Sequence, residues 1–494
     1  MRWIFISSLF IQLWISCSDN VDYISYGIDG YPEKLNPGLV QGPYQSQILA
    51  QIYEPLITLD RDLKTLKPGL VTGWQVSEDY LQIILTLKPG VLFHDLTNFT
   101  AEDVKYSIDI TRQNNPHSFL NELIDTLQIL NHLSLRISLK KAFPAFLYAL
   151  TSPDVLLISQ HNYKSTGNDF VGTGPYILSR KENKNILELH PFTHYHGTVR
   201  ALHPVRIIPF DHDTDKRRAL SDGRIDLVYM ITGFQADRMQ WLGKIKYTVQ
   251  PSTAHVFIGF NNSLTPFDDI KVRKAVLQAL DIPKFVYYVN RGNAYPARQP
   301  LPPVYDIDNL ALQDTFDLMA AKNYLKDAGF DRQLTVRFLF PEMVWERATF
   351  IEYLKSRMKQ INVNLDVIRV NTWEKFEQVI RSGNCEMFNV AYACDFLNVP
   401  EYYLFSLFHS RGAYNFMDYK NSTVDLLLDK LILGTETGDK NVLIKKVVGE
   451  IVADTPAIFL LHIKSHYAYN SERIKTIVIN PYHIPDFKNT VLYE

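Results

Sequence analysis

Alternation with period two marks the strands of this chain. In "LSLRISL", residues 133–139, Leu133, Leu135, Ile137 and Leu139 share one face while Ser134, Arg136 and Ser138 share the other. Successive side chains of an extended strand point to opposite sides, so this spacing predicts a half-buried strand. "LQIILTLKPG" repeats the pattern with Leu81, Ile83, Leu85 and Leu87, then turns at Pro89-Gly90. Elsewhere the apolar spacing changes to three and four, the period of a helix buried along one stripe. "DDIKVRKAVLQALDIP" lines up Val272, Ala275, Val276, Ala279 and Leu280 and stops before Pro283, because the residue preceding a proline is driven out of the helical region. "NSTVDLLLDKLILG" does the same with Val424, Leu427, Leu428, Leu431 and Ile432, and Gly434 ends it. "DLMAAKNYLKDAGF" predicts a further helix closing at Gly329. Thr100 followed by Asp103 reads as a capping box ahead of Val104 and Ile108. Helices interleaved with strands make the class mixed α/β, with no fixed-period repeat, low-complexity tract or heptad pattern.

Composition then sets the scale. At 494 residues, with 46% hydrophobic and 13% aromatic positions, the chain has material for two or three cores and more than one domain. The best breaks are the glycine-rich "VGTGPY" at 171–176 and the polar "TVQPSTAHV" near 250. A net charge of −2 without long single-sign blocks argues against a nucleic-acid or anionic-membrane footprint. Arg2 is the only charge ahead of an apolar stretch from Trp3 to Ile15, which is too short to span a bilayer and is followed by Ser16 and Cys17. Residues 1–17 therefore read as a signal peptide. Its ending resembles a bacterial lipobox, with Trp14 where leucine is usual, and predicts lipidation of Cys17; a plain secretory signal with an incidental cysteine is the alternative. Cys385 and Cys394 read as two buried free thiols, although an oxidising compartment would allow a disulfide.

Enzyme motifs are not found. There is no phosphate-binding Walker loop, no G-x-S-x-G elbow and no H-E-x-x-H. "GTGPY" lacks dinucleotide spacing. His194, His196, His203 and His212 read as solvated surface histidines rather than metal ligands, and His94 as structural. Asp268 and Asp269 sit at a helix start, where the dipole accounts for them. Nothing pairs a nucleophile with a base, so no catalysis, cofactor or metal is expected. One residue stands apart. In "FNVAYACDFLNVPEYYLF", residues 388–405, Asp395 is a lone acid among aromatic and aliphatic neighbours. A desolvated carboxylate needs a partner. That partner is either a base distant in sequence or a ligand.

Several phrases resemble, in order and spacing, the extracellular solute-binding proteins of oligopeptide, dipeptide and nickel ABC importers (solute-binding family 5). They are "YEPLITLD" (53–60), "LKPGLVTGWQVSEDYLQIILTLKPGVLFHD" (66–95), "FTAEDVKYSID" (99–109), "VGTGPYIL" (171–178), "ALSDGRIDLV" (219–228), "FNNSLTPFDDIKVRKAVLQALD" (260–281) and "ADTPAIFLLH" (453–462). Two loops depart from the pattern, "FHDL" for the common "FHDG" and "LKPG" for the usual strand ending. The resemblance implies a periplasmic-binding-protein-like, two-lobed α/β fold with an extra third domain and mixed sheets flanked by helices. Domain I would comprise 18–46, 172–251 and 469–494, domain II 47–171 and domain III 252–468, with crossings between I and III acting as a hinge.

It also implies a role for Asp395. Peptide-binding members carry a W-x-x-D phrase whose aspartate pairs with the ligand's α-amino group, and "Y-A-C-D", Tyr392 to Asp395, occupies that place. The nearby aromatics Tyr392 and Phe396, with Tyr402 and Tyr403, are candidates to line the cleft, although each alone is more often a core residue. The segment "VQGPYQS" after "KLNP", including Gln41, Gly42 and Tyr44, would offer a strand-like backbone edge to the peptide main chain, the alternative being an ordinary surface turn. Arg411 in "HSRGAYNF" would meet a ligand carboxylate. The implied protein is the substrate-binding component of an ABC importer, which captures peptides between its lobes and delivers them to a membrane permease. It would be a monomer, lipid-anchored in the periplasm or cell envelope, and would bind no nucleic acid. Alternatives are a non-peptide ligand on the same fold (nickel chelate, haem or sugar) and a secreted hydrolase.

Overall fold

Residues 22–30, 35, 43–60, 65–114, 119–152, 155–166, 170–181, 186–229, 243–289, 294–330, 332–342, 348–392, 399–434, 439–480 and 483–493 are described by the structure, a computed structural model. Eleven strands make one continuous sheet. They are β1 (Ile24–Asp29), β2 (Tyr176–Lys181), β3 (Ile186–Pro191), β4 (Val205–Phe210), β5 (Leu227–Tyr229) and β6 (Ile245–Phe260), followed by β7 (Ala294–Pro296), β8 (Leu334–Pro341), β9 (Val363–Val370), β10 (Met387–Tyr392) and β11 (Ala457–Asn470). Their order is β9-β8-β10-β6-β11-β5-β1-β4-β3-β2, with β7 added on β11. β1 runs parallel to β4 and β5, and β8 runs parallel to β9 and β10. Parallel strands are covered on both faces and so read as near-continuous apolar runs. The "LVY" of β5, buried throughout, is such a run.

Two long strands join the halves of this sheet. Ile245–Pro251 of β6 pair with Lys464–Asn470 of β11, and His255–Gly259 pair with Ala457–His462. Between Pro251 and His255 the register slips, four steps along β6 against two along β11. Such a bulge bends a strand and sharpens its twist. A core on one side of it gathers Ile24, Tyr26, Ile28, Val205, Leu227 and Tyr467. Cores on the other gather Val256, Ile258, Phe260, Val272, Val276 and Phe338, and Phe257, Tyr403, Leu407, Phe408 and Phe459.

The period-two stretches form a separate four-stranded antiparallel sheet, Val71–Val76, Gln82–Leu87, Ser134–Leu139 and Ile124–Asn131. Ile83, Leu85, Leu87, Leu135, Ile137 and Leu139 are all buried. The helix Ala101–Asn114 contributes Val104 and Ile108 to the same core, and the Asp103 carboxylate accepts from the backbone N–H of Thr100 at 2.9 Å. The predicted helical stripes are likewise buried at Val272, Ala275, Val276, Ala279, Leu280, Val424, Leu428 and Ile432, with Leu427 and Leu431 half-buried. Asp269 caps Ile270–Ala279, Asn421 caps Ser422–Leu433, and Gly434 closes the latter at φ +60. The mixed α/β expectation holds. No helix among the described residues is long and apolar enough to cross a membrane.

"VGTGPY" turns out to be a packing device. A Cβ on Gly172 would stand 2.1 Å from the carbonyl oxygen of Ile52, and one on Gly174 2.6 Å from that of Gln51. Only glycine lets the two backbones approach so closely. His94 joins this contact, with Nε2 3.0 Å from the Gly174 carbonyl, which is the structural role expected. His196 departs from the solvated reading. Its Nε2 lies 2.7 Å from Glu54, which also accepts from Tyr195 Oη at 2.7 Å and Thr173 Oγ1 at 3.1 Å. An acid distant in sequence drew this histidine inward, and no local spacing announces that. Cys385 is a buried free thiol whose burial pushes its pKa up to about 12; Cys394 lies outside the described residues.

The expected backbone edge at 40–46 needs correcting from Pro43 onward, residues 40–42 lying outside the described residues. Pro43–Ile52 is a helix, so Tyr44 lies in its first turn rather than in a strand. Proline is well suited to that first position, and Ile48, Leu49 and Ile52 bury a helical stripe against Ile24 and Tyr26. The division placed at 46/47 falls inside this helix, whose apolar face belongs to the β1 core. Similarly, β11 runs unbroken through 468/469.

Candidate functional site

The strand directions locate the site. β5 runs antiparallel to β11, and β11 antiparallel to β6, so β1, β5 and β6 point the same way. The carboxyl ends of β1, β4 and β5 therefore face along β6 toward its bulge. β10 runs antiparallel to β6, so its carboxyl end, with those of β8 and β9, faces back toward the same bulge. Ligands of open parallel sheets bind beyond the carboxyl ends of the strands, and here two such sets confront each other. Tyr229 on β5 pairs with Tyr467, and Tyr392 on β10 with His255, itself opposite His462. Tyr467 and His462 are five residues apart on β11, a separation of roughly 17 Å along an extended strand. That separation divides the two sets of strand ends.

On one bank, β1 ends at Asp29. Its carboxylate accepts from Lys216 Nζ at 2.5 Å and from Tyr44 Oη at 2.8 Å, and the side chain remains 46% exposed. Lys216, on the helix Asp213–Ser221, is fully buried, with Asp213 a second acid at 3.6 Å. Burial, then the Asp29 charge, push the Tyr44 phenol well above its ordinary pKa. Tyr44 packs edge-on to Tyr229, which stacks on Tyr467 at 4.7 Å. Gln47 ties this bank together, accepting from Tyr26 and donating to Tyr467 Oη at 2.9 Å.

On the other bank, Tyr392, His255, His462 and Tyr295 form a row across four neighbouring strands. Tyr392 lies edge-on to Tyr403 and tilts against Tyr414. His255 Nδ1 is hydrogen-bonded to the Tyr403 hydroxyl, while its Nε2 and His462 Nδ1 are buried without a partner. Burial holds both imidazoles neutral, His255 well below its ordinary pKa and His462 down to about 3. Arg411 is spoken for within its own bank, 2.7 Å from Asp429 and largely exposed. Asp395, Phe396, Gln41, Gly42 and Cys17 lie outside the described residues; Asp395 follows the last residue of β10 by three positions.

The structure thus brings Tyr44 and Tyr392 to opposite banks. Sequence reading missed Asp29, Lys216, Tyr229 and His255. The available signal was weak: an acid ending the buried run "ISYGID", and a histidine opening "HVFIGF".

Two bodies whose strand ends oppose each other across a gap, joined by two crossing strands, define a two-lobed ligand-capturing protein. A model of the bacterial extracellular solute-binding proteins, family 5 Middle, matches residues 65–415, and the chain belongs to that family, the substrate-binding components of ABC importers. It is 25% identical over 468 residues to the glutathione-binding protein GsiB of Pectobacterium atrosepticum, covering 91% of this chain and 90% of that one. Its fold matches NikA from Brucella suis, solved with Fe(III)-EDTA, at a TM-score of 0.85 and 18% identity, covering 96% of this chain and all of that one. A dipeptide-binding protein from Pseudoalteromonas sp. SM9913, solved with Met-Leu, matches at 0.81 and 22% identity with the same coverage.

Proposed function

We propose that this protein captures peptides in the cleft between β5 and β10 and hands them unaltered to a membrane permease. The observation that carries this reading is the placement of Tyr392 at the carboxyl end of β10, with Asp395 three residues further along the chain. A separation of roughly 17 Å accommodates an extended peptide of up to about five residues at about 3.4 Å each. Asp395 would hold the α-ammonium by a charge-assisted bond worth about 1.5–3 kcal/mol. Names among the relatives (a glutathione-binding protein, a dipeptide-binding protein) agree with a short peptide ligand. The first lobe would comprise domain I, with the helix Pro43–Ile52, and domain II to residue 171; the second would be domain III, and the hinge would lie at Pro251–His255. The mature protein would be a periplasmic monomer anchored through lipidated Cys17.

Calorimetry with a library of short peptides tests this. Asp395→Ala should abolish retention of peptides with a free amino terminus while leaving the melting curve unchanged; undiminished affinity would sink the anchor. Recovery of intact peptides by mass spectrometry supports capture, and cleaved products would indicate a hydrolase. A second reading, a metal chelate, draws on the unpartnered nitrogens of His255 and His462 and on the fold shared with NikA. It predicts chelate binding that survives Asp395→Ala.

A further inference from the structure

The core of the four-stranded sheet is not confined to its own stretch of chain. Val399 and Ile432, from the second body, are buried in it beside Phe143, Ala145 and Phe146. Tyr402 and Phe405, on the helix Pro400–Phe408, pack against it together with Leu147 and Tyr148. The Phe143 and Tyr402 rings meet edge-to-face at 6.4 Å. Gly434, closing the neighbouring helix, lies so near Pro144 that an added Cβ would stand 2.7 Å from its Cγ. Tyr402 and Phe405 also belong to the core holding Tyr403, Leu407 and Phe459. Leu156 and Ile158, from the same stretch of chain as the four-stranded sheet, are buried in the β1 core, with Tyr106 and Ile110 packed against it. Tyr402 and Phe405 therefore connect the second body to one that packs on the first.

We propose that this apolar seam, Val399, Tyr402, Phe405 and Ile432 against Phe143, Pro144 and Leu147, is a reversible latch that sets ligand affinity without touching ligand. Among the described residues, the strands of the large sheet that cross between these bodies are β6 and β11, and any opening about the bulge must part the seam. Parting it exposes Val399 and Ile432 to water, which favours the closed form in proportion to the apolar area uncovered. Tyr402 keeps its contacts within the second body and has a hydroxyl that tolerates solvent, so the seam can open without unfolding either side. A solute-binding protein releases its ligand from the open form. Weakening the latch lowers the closed fraction, and the apparent affinity falls by the ratio of the closed fractions.

The test uses the full chain as Tyr402→Ala/Ile432→Ser, with Leu147→Ser on the facing side and Tyr402→Phe as the conservative control. Small-angle scattering of the ligand-free protein should show expansion for the first two and none for Tyr402→Phe. Circular dichroism melts establish that each variant is folded, and Leu147→Ser gives the result independently should the double variant fail to fold. Titration with trialanine should show binding about tenfold weaker at unchanged stoichiometry. The titration rests on the peptide-capture reading; the scattering does not. If wild type ignores trialanine, that reading suffers while scattering still decides the latch. Unchanged scattering from folded Leu147→Ser and Tyr402→Ala/Ile432→Ser overturns it.

Discussion

Removing Asp29 should harm the protein more than removing the buried lysine it serves. Lys216 is fully buried, and its ammonium has Asp29 at 2.5 Å and Asp213 at 3.6 Å. Asp29→Asn keeps the side-chain shape but leaves that ammonium with only the more distant acid. Orphaning one member of a buried ion pair costs about 3–5 kcal/mol; the residual Asp213 contact brings the expectation to roughly 2–3 kcal/mol. Lys216→Met keeps the stem, which packs close to Gly27, and removes the charge from the interior. Asp29, nearly half exposed, can then rehydrate, so the loss should stay within about 1 kcal/mol. Thermal melts followed by circular dichroism read the difference. Asp29→Asn should lower the transition by roughly 5–10 °C, Lys216→Met by no more than about 3 °C. The double variant should resemble Lys216→Met, a non-additivity that isolates the pair. Lys216→Met proving as damaging as Asp29→Asn, or the two effects simply adding, would refute the reasoning.

Acid should destabilise the fold earlier than its carboxylates alone require. His255, His462 and His483 are depressed by burial, His483 to about 4 and His462 to about 3, while unfolded imidazoles titrate near 6.5. Stability from these groups is complete above about pH 6.5. It falls as the unfolded chain takes up protons, by about 1.4 kcal/mol per pH unit for each group. Unfolding free energies at pH 7, 6 and 5 should show that slope, reduced by one proton in His462→Gln. Gly172→Ala should cost more than about 3 kcal/mol or fail to fold, since the new methyl meets the Ile52 carbonyl, and expression with melting analysis measures it. Tyr403→Phe strips the buried His255 Nδ1 of its partner and should cost about 1–3 kcal/mol in denaturant unfolding at neutral pH.

Strands and helices were legible wherever one face of an element is buried and the other wet. Leu135, Ile137 and Leu139 announced their strand, and Val424, Leu428 and Ile432 their helix, because periods of 2 and 3.6 are set by backbone geometry alone. The helix stop at Gly434 and the capping box of Thr100 and Asp103 were legible for the same reason. The helix at Pro43–Ile52 was missed because "QGPY" reads as a turn until the stripe of Ile48, Leu49 and Ile52 is weighed beside it.

By itself the sequence determined the class, the family and the local elements. The tertiary structure decided which distant groups share one environment. Glu54 drew His196 inward across 142 positions, Asp29 compensates Lys216 across 187, and Tyr403 meets His255 across 148. It also decided that β10 and β5 end facing each other, which follows from strand order and direction in the sheet. Local periodicity arises from neighbouring residues along the backbone, whereas burial and charge pairing depend on separations in space that the chain acquires only when its remote segments pack.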